Sequence, residues 1–169
     1  LDPMPTLQHF DSLGSSDKDA VYLPIVYCRD CHATGWGATQ TKTGGNQLVA
    51  DLQTFYTAFF AEDTNTRFLF PQQDQQQNKV FTPKKICLRC AALNQTVQSA
   101  CDYCGHDQLM PIVITDNLKE GTRHGATLIK SSHDCPYCQS PNAISVLGSQ
   151  AASLASVMIG QIYSSRFNE

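Results

Sequence analysis

The spacing of apolar residues predicts one helix in the first half of the chain. The segment LVADLQTFYTAFFAED, residues 48–63, repeats apolar positions at intervals of three and four residues. These positions are Leu48, Val49, Leu52, Phe55, Tyr56, Phe59 and Phe60. Because they fall on one side of a helix, we predict a helix over about 48–61 whose apolar face packs on the rest of the protein.

Runs of β-branched and aromatic residues predict short strands close to the cysteines. The runs are VYLPIVYC (21–28), RFLFP (67–71), KVFTPKKIC (79–87), LMPIVIT (109–115) and ATLIK (126–130). Pro24, in the first run, lacks the N–H that a central strand donates to its neighbour. We therefore predict that this strand lies at the edge of its sheet.

The end of the chain combines a strand pattern with a helix pattern. Residues 143–167, AISVLGSQAASLASVMIGQIYSSRF, begin with a strand-like run and continue from about Ser149 with apolar residues at helical spacing. We predict a second packed helix over 149–167. Together with the helix at 48–61, this pattern indicates an α+β fold of small antiparallel strands and two packed helices.

The same pattern divides the chain into three regions. Residues 1–20 form a polar lead segment, residues 21–143 a cysteine-rich domain with the helix inserted, and residues 144–169 a strand and a C-terminal helix. The sequence opens on Leu1 and ends within a helical pattern. We therefore expect the last helix to continue into a missing downstream domain of a larger parent chain.

Composition is typical of a folded protein that is not exported. Hydrophobic residues make up 41 % of the chain and charged residues 16 %. The first twenty residues lack the basic start and apolar core of a signal peptide. The longest apolar stretch, residues 151–163, is shorter than the roughly 20 residues that span a bilayer. We expect a cytoplasmic protein with no membrane partner.

The candidate chemistry lies in the cysteines. All eight occur in Cys-x-x-Cys pairs, at 28/31, 87/90, 101/104 and 135/138. A tetrahedral zinc site needs four such ligands, and two intervening residues let the backbone turn both sulfurs toward one ion. Reduced cysteine pairs in a protein that is not exported favour metal over disulfides. Two Zn²⁺ ions and a zinc-ribbon-like fold are therefore predicted, with Gly35 and Gly105 as flexible residues beside the pairs.

Distance along the chain suggests how the pairs combine. The two middle pairs are near each other in sequence, so joining them in one site has the smallest entropic cost of loop closure. This site would contain Cys87, Cys90, Cys101 and Cys104. The remaining ligands, Cys28, Cys31, Cys135 and Cys138, would then form the second site around the first. A sequential or a crossed combination of the pairs stays open, because sequence alone does not fix connectivity.

Other chemistries use the same residue types. CPYC at 135–138 matches the active-site tetrapeptide of glutaredoxins, but in that fold the motif comes early in the domain and opens a helix. An iron–sulfur cluster also uses cysteine thiolates, usually at more clustered spacings. His32, His106 and His133 lie beside cysteine pairs and could replace a ligand, although eight cysteines suffice without them.

The sequence offers no catalytic machinery for a zinc enzyme. A catalytic zinc keeps a position for water and usually a nearby carboxylate as base. None of the three glutamates, Glu62, Glu120 and Glu169, lies next to a cysteine pair. Phosphate-binding loops and nucleophile elbows are also absent. We predict closed structural sites, no catalytic residue and no small-molecule substrate.

Charge argues against long-range attraction to nucleic acid. The formal charge is −3, and eight thiolates with two Zn²⁺ ions would lower it to about −7. Local basic residues are candidate DNA contacts, although a solvated strand face is the simpler interpretation. They are Arg29, Lys79, Lys84, Lys85 and Arg89. Trp36, the only tryptophan, is predicted to pack over the first cysteine knuckle.

Two segments resemble parts of a known family. VYLPIVYCRDCHATGWG (21–37) resembles the cysteine-rich insertion of large bacterial superfamily 2 (DEAD/DEAH-box-like) helicases, some of which act in DNA repair and phage defence. The tail SLASVMIGQIYSSRFNE (153–169) is similar to the helix before the first motif of their second motor lobe. The resemblance implies an accessory zinc module of a DNA-translocating ATPase, with the motor lobes as partners. It carries a ligand role to Cys28 and Cys31 and no ATP-binding residue, since the motor motifs are missing.

These observations lead to one prediction and two alternatives. We predict a non-catalytic zinc module that helps a larger DNA-acting ATPase to engage DNA or a partner. The first alternative is a protein-docking module without DNA contact, which would use the apolar face around Phe55, Tyr56, Phe59 and Phe60. The second is an enzyme, either a zinc hydrolase or a thiol redox protein using CPYC.

Overall fold

A computed structural model of the chain describes residues 21–41, 45–72 and 80–154. Within these residues there are ten strands and one helix, α1 (Leu52–Phe60). The first five strands are β1 (Tyr22–Cys28), β2 (Thr34–Gln40), β3 (Leu48–Val49), β4 (Thr66–Pro71) and β5 (Thr82–Cys87). The others are β6 (Leu93–Asn94), β7 (Leu109–Thr115), β8 (Leu118–Arg123), β9 (Ala126–Ser131) and β10 (Ile144–Ser153).

The helix predicted over 48–61 is confirmed with a later start. Asp51 is its N-cap, and its carboxylate accepts the backbone N–H of Thr54 at 2.8 Å. Leu48 and Val49 belong instead to β3, because their backbone pairs with the end of β2. The helix ends where Glu62 takes a left-handed conformation, with φ of 55°.

The second packed helix predicted over 149–167 is not supported: of this span the structure describes residues 149–154, and only Leu154 is helical there. Residues up to Ser153 continue β10, which pairs with β1 as far as Tyr22. Residues 155–169 lie outside the described part of the chain, as do 1–20. The α+β class holds broadly, as a mostly antiparallel sheet with one short helix rather than two packed helices. Up to Ser153, pairing of the β10 backbone with β1 prevails over the helical spacing of the sequence.

Eight of the strands form one antiparallel sheet in the order β10-β1-β2-β4-β7-β5-β6, with β3 also paired to β2. The strand β1 therefore lies between β10 and β2, and the predicted edge position is wrong. Pro24 is tolerated there because the register of β1 and β10 shifts between Pro24 and Val26, at an irregularity in the ladder.

The sheet closes on itself through the segment that precedes β3. Gln47 forms an antiparallel bridge with Ala92. On either side, Leu93 N–H donates to the Asn46 carbonyl at 2.7 Å and Leu48 N–H to the Ala91 carbonyl at 3.4 Å. Because β3 also pairs with β2, the strands β2, β4, β7, β5, β6 and β3 form a closed ring. Closure leaves these strands without an open edge, as in a small barrel.

The interior of the barrel is apolar, and every strand of the ring contributes to it. The contributing side chains are Trp36, Ala38, Leu48, Leu69, Ile86, Leu93, Met110, Ile112 and Ile114. Trp36 is fully buried, and its partners in the neighbouring strands are Ile25 and Leu69. It fills the barrel instead of covering the first knuckle, because strand alternation points Trp36 and Cys28 to opposite faces of the sheet.

The outer face of β2 and β4 carries an aromatic cluster that anchors α1. Phe55 and Phe59 of the helix both meet the Phe68 ring edge-on, at centroid distances of 6.5 and 6.2 Å. Gly37 provides room for this contact, because a Cβ atom built on it would lie 2.1 Å from Cζ of Phe55. The helix position therefore depends on the absence of a side chain in β2.

The strands β8 and β9 form a separate hairpin whose side chains are mostly exposed. Its turn residues, His124 and Gly125, have φ of 52° and 78°, the positive values that a two-residue turn requires. The hairpin is attached at its base, where the Asn117 amide donates to the carbonyls of Ser132 and Asp134. It projects from the barrel without burying an apolar face of its own.

Replacing Gly37 by alanine tests the packing of α1 on β2. We expect Gly37→Ala to lower the free energy of unfolding by about 1–3 kcal/mol, because the buried Phe55 ring has no space to move into. Thermal unfolding followed by circular dichroism measures this change. The control is Gly121→Ala in the hairpin, where the added methyl meets only the flexible end of Lys130. Equal stability of the two variants would contradict a tight contact between Gly37 and Phe55.

Candidate metal centres

The four Cys-x-x-Cys pairs adopt the same backbone turn. In each pair, the N–H of the residue after the second cysteine donates to the carbonyl of the first cysteine, at 2.9–3.1 Å. The N–H of the first cysteine donates onward to a carbonyl five residues later, at 2.8–3.1 Å. We call these four turns the knuckles. Their identical hydrogen bonding shows that the pairs are a repeated local structure.

Each knuckle directs backbone N–H groups at sulfur. The Sγ of the first cysteine of every pair accepts the N–H of the residue two positions later, at 3.4 Å. The donors are Asp30, Arg89, Tyr103 and Tyr137. Such N–H dipoles stabilise a thiolate more than a neutral thiol. The knuckles are therefore arranged to hold ionised sulfur.

The residue after the second cysteine is left-handed in all four knuckles. The φ values are 66° at His32, 61° at Ala91, 76° at Gly105 and 59° at Gln139. Gly105 has the role that the sequence predicts, but three knuckles use residues with a side chain in this strained region. Gly35 is instead part of β2, where a Cβ would lie 2.1 Å from the Leu69 carbonyl oxygen.

The structure groups the knuckles in the nested arrangement that loop closure predicts. The first centre contains Cys28, Cys31, Cys135 and Cys138, and the second contains Cys87, Cys90, Cys101 and Cys104. Within each centre the four sulfurs lie within 4.8 Å of one another. The sequential and crossed alternatives are thereby excluded.

Strand pairing explains how residues more than a hundred positions apart meet in the first centre. Cys28 ends β1, and its register partner in β10 is Ile144. The knuckle of Cys135 and Cys138 directly precedes β10, and Arg29 N–H donates to the Ala143 carbonyl at 2.9 Å. The second centre needs only local structure, because Cys87 ends β5 and the knuckle of Cys101 and Cys104 precedes β7.

The sulfur separations test what each centre can hold. Cys28 and Cys138 are 3.6 Å apart, as are Cys31 and Cys135, and Cys87 and Cys104 are 3.5 Å apart. A disulfide needs about 2.05 Å, so these thiols are not bonded to each other. Four sulfurs about 2.3 Å from one tetrahedral ion would be roughly 3.8 Å apart. The residues present therefore fit a single tetrahedral metal ion in each centre.

Electrostatics within the centres also favours a cation. Burial and the neighbouring thiols raise the pKa of Cys90 and of Cys135 to about 12. Burial opposes ionisation of Cys101, but N–H groups of Cys104 and Tyr103 and the Asn94 amide outweigh it and lower the Cys101 pKa to about 6. The Ser140 backbone N–H lowers the pKa of the exposed Cys138 to about 7. Each centre thus contains one thiol that ionises easily, Cys138 or Cys101, and one whose ionisation is strongly disfavoured, Cys135 or Cys90.

Burial is the main reason why Cys90 and Cys135 ionise with difficulty, and repulsion between neighbouring thiolates adds to it. Two unit charges about 4 Å apart repel by about 4 kcal/mol at an effective dielectric constant near 20. Four thiolates confined within 4.8 Å of one another cannot all ionise unless a positive charge joins them. A divalent ion would supply that charge, and its binding would displace the remaining thiol protons.

The histidines beside the cysteines do not enter either group of ligands. The His133 ring stacks on Phe59 at a centroid distance of 3.9 Å, and its Nε2 is 2.8 Å from the Phe59 carbonyl oxygen. His133 therefore fixes the end of α1 against the first centre. The His32 and His106 backbones take part in the knuckles, His32 as the left-handed residue and His106 as a carbonyl acceptor for Cys101.

Cys135, the first cysteine of CPYC and the nucleophile position of glutaredoxins, lacks the features of a redox nucleophile. Cys135, the first cysteine, is buried and its pKa is raised, whereas a nucleophilic thiol is accessible and easily ionised. The segment forms a knuckle followed by β10 and does not open a helix. Its geometry matches that of the other three pairs.

The four predicted nucleic-acid contacts that the structure describes are not brought together on one surface. Arg29 is on the first centre, where its guanidinium donates to the Asn142 carbonyl, and Arg89 is exposed on the second. Lys84 and Lys85 are adjacent in β5 and point to opposite faces. Lys85 donates to the Gln98 carbonyl at 2.8 Å, and Lys79 lies outside the described residues.

The sequence alone gave no sign of Asn94, which supports the second centre, or of Arg67, which lies elsewhere on the barrel. Asn94 accepts the Asp102 N–H at 3.0 Å and so holds the two knuckles of the second centre together. Arg67 is half-buried beside Lys84, on a neighbouring surface of the barrel. No motif distinguishes either residue, because their roles arise from strand pairing.

Comparisons of the chain with protein-family models, with curated proteins and with solved structures found no match. In the part of the chain that the structure describes, no helix is long and apolar enough to cross a membrane.

The left-handed residues of the knuckles provide a reciprocal test. We expect Gly105→Ala to lower the free energy of unfolding by about 1 kcal/mol, since a side chain at positive φ is strained although the space around it is open. We expect Gln139→Gly, at an exposed position of the same conformation, to leave stability unchanged or to increase it. Chemical denaturation of both variants and of the unsubstituted protein measures these effects. A change of the same sign in the free energy of unfolding of both variants would refute the explanation.

Proposed function

We propose that both centres bind Zn²⁺ as structural ions and that the chain is a non-catalytic zinc module. The observation that carries the proposal is the convergence of four cysteine sulfurs, within 4.8 Å of one another, in each centre. Four protein thiolates complete the tetrahedral coordination of zinc and leave no position for a water molecule. Such a site stabilises the fold and does not activate a nucleophile.

The geometry favours one ion over an iron–sulfur cluster. A cluster distributes its cysteine ligands over several iron atoms, so the sulfurs are further apart than around a single ion. The short separations in both centres match mononuclear coordination. Zinc is the proposed ion because sulfur-rich tetrahedral sites formed by paired knuckles are typical of structural zinc.

The two ions would stabilise different parts of the fold. The first centre fastens the turn between β1 and β2 to the loop before β10, across more than a hundred residues. The second fastens the β5–β6 turn to the loop before β7, at one end of the barrel. Because closing a longer loop restricts the unfolded chain more, the first ion should contribute more stability.

We further propose that the module serves a larger DNA-acting ATPase, by helping it to engage DNA or a partner. The support is the resemblance of residues 21–37 to the helicase insertion, together with the exposed basic residues Arg29 and Arg89 on the knuckles. The alternative docking face loses support, since Phe55 and Phe59 are buried and Tyr56 is half-buried. Phe60 alone of that set is largely exposed.

Metal analysis of single-cysteine variants tests the zinc proposal. We expect the purified chain to carry two Zn²⁺ ions, and Cys135→Ser and Cys101→Ser to carry one each, since each removes a ligand from a different centre. Cys135→Ser should be the less stable, by about 1–2 kcal/mol, because it releases the longer loop. Plasma mass spectrometry of gel-filtered protein and thermal unfolding measure both effects.

Asp30→Asn is the matched control for these variants, because Asp30 lies within a knuckle but its exposed carboxylate is not a ligand. It should retain both ions. Thiol titration of the unsubstituted protein with both zinc ions bound should find no reactive cysteine before denaturation. A coloured, iron-containing protein, or a chain that keeps its circular dichroism spectrum after metal removal, would refute the proposal.

A further inference from the structure

One end of the barrel is a polar, basic mouth above an apolar interior. A groove of about 230 Å³ lies there, with Leu93 and Ile114 of the barrel interior in its wall. Its polar lining includes Gln40, Arg67, Lys84 and Asp116. Barrel mouths are common ligand sites, because they combine a rigid frame with side chains from several strands.

The register of the strands shows that these polar residues face inward. Gln40, Arg67 and Lys84 are each two positions along their strand from a side chain of the barrel interior. The corresponding interior residues are Ala38, Leu69 and Ile86. Inward positions of a small barrel are normally filled by apolar side chains. Two cations at such positions therefore indicate a role other than packing.

Arg67 is fixed in place with part of its guanidinium uncommitted. It is half-buried, and its Nη1 donates to the carbonyls of Thr64 and Thr66, at 2.6 and 2.9 Å. Burial lowers the pKa of Arg67, against the opposing effect of Asp116 and Asp63. Its Nη2 and Nε make no hydrogen bond to the described residues. A guanidinium held along one edge is preorganised to bind an oxyanion along the other.

Lys84 is also half-buried in the same groove, and it makes no hydrogen bond among the described residues. The ion pairs among the described residues are Lys119 with Asp134 and Lys130 with Glu62. Neither pair includes Lys84 or Arg67. A partly desolvated ammonium without an acceptor is costly unless an anion joins it. Among the described residues of the lining, Asp116 is the one carboxylate beside the cations Arg67 and Lys84, so their formal charges sum to a positive value.

We propose that this mouth binds a phosphate group between the Arg67 guanidinium and the Lys84 ammonium. The groove is smaller than the roughly 300–1,000 Å³ of sites that enclose whole small molecules, so it accommodates one phosphate and leaves the rest of the ligand outside. A phosphate of a single-stranded nucleic acid meets this condition. That source rests on the proposed DNA role, whereas the phosphate site itself does not.

The experiment compares two lysines that are neighbours in one strand. Lys84→Gln and Lys85→Gln remove the same charge from β5, but Lys84 faces the groove and Lys85 faces away and bonds to Gln98. The zinc-loaded chain is titrated against a fluorescent oligothymidine of about eight nucleotides, a length suited to one small barrel. Fluorescence anisotropy is measured over a range of salt concentrations.

We expect Lys84→Gln to weaken binding of the oligonucleotide about tenfold, as the loss of a charged hydrogen bond does. The slope of log K against log salt should fall in magnitude by about 0.7, the value for one phosphate on a single strand. Lys85→Gln should change neither quantity. Arg67→Gln should weaken binding as Lys84→Gln does, and thermal unfolding of each variant checks that its fold is retained.

In a second experiment, inorganic phosphate is titrated into the protein, and the side-chain Nε–H resonance of Arg67 is followed by NMR spectroscopy. A shift with phosphate, together with oligonucleotide binding no tighter than that of phosphate, would support the site and overturn the nucleic-acid source. Equal losses in Lys84→Gln and Lys85→Gln would overturn the site. No response to either probe, in protein that still carries two Zn²⁺ ions, would overturn the site and leave the zinc proposal standing.

Discussion

Four thiolates that share a space only 4.8 Å across repel one another unless a cation lies between them, and this condition occurs twice in the chain. The first occurrence controls the architecture. It joins the turn after β1 to the loop before β10, and the pairing of those two strands brings the same residues together. Strand pairing and sulfur convergence therefore support each other, and loss of either would separate the ends of the described fold.

The knuckles show how a local turn is adapted to this condition. Each one directs an N–H dipole at the first sulfur and turns the chain back through a left-handed residue. Only one of the four uses glycine there, so the other three carry local strain that the rest of the centre must offset. The strain is tolerated because the surrounding hydrogen bonds fix the turn from both sides.

The two faces of β2 and β4 pack against different parts of the fold: one face lines the barrel interior and the other carries the aromatic cluster. Inward side chains such as Trp36 and Leu69 fill the ring, and outward ones such as Phe68 hold the helix. Gly37 in β2 lets Phe55 approach the sheet closely. On the described strands, inward positions at the mouth are polar, because Arg67 and Lys84 replace apolar residues there. The packed core and the candidate phosphate site therefore both result from the alternation of side chains between the two faces of the strands.

The sequence by itself determined the features that depend on short distances along the chain. It specified the eight cysteines in four Cys-x-x-Cys pairs and the helix around Phe55 and Phe59, whereas loop closure favoured the nested grouping of the pairs without excluding the others. Tertiary structure alone decided that β1 is an internal strand, that residues up to Ser153 continue β10, and that the sheet closes through Gln47 and Ala92. It also decided that Trp36 lies inside the barrel and that Lys84, unlike Lys85, faces its mouth. The physical reason is register: which face a strand residue occupies depends on pairing with distant strands, and a shift of one residue would exchange the two faces.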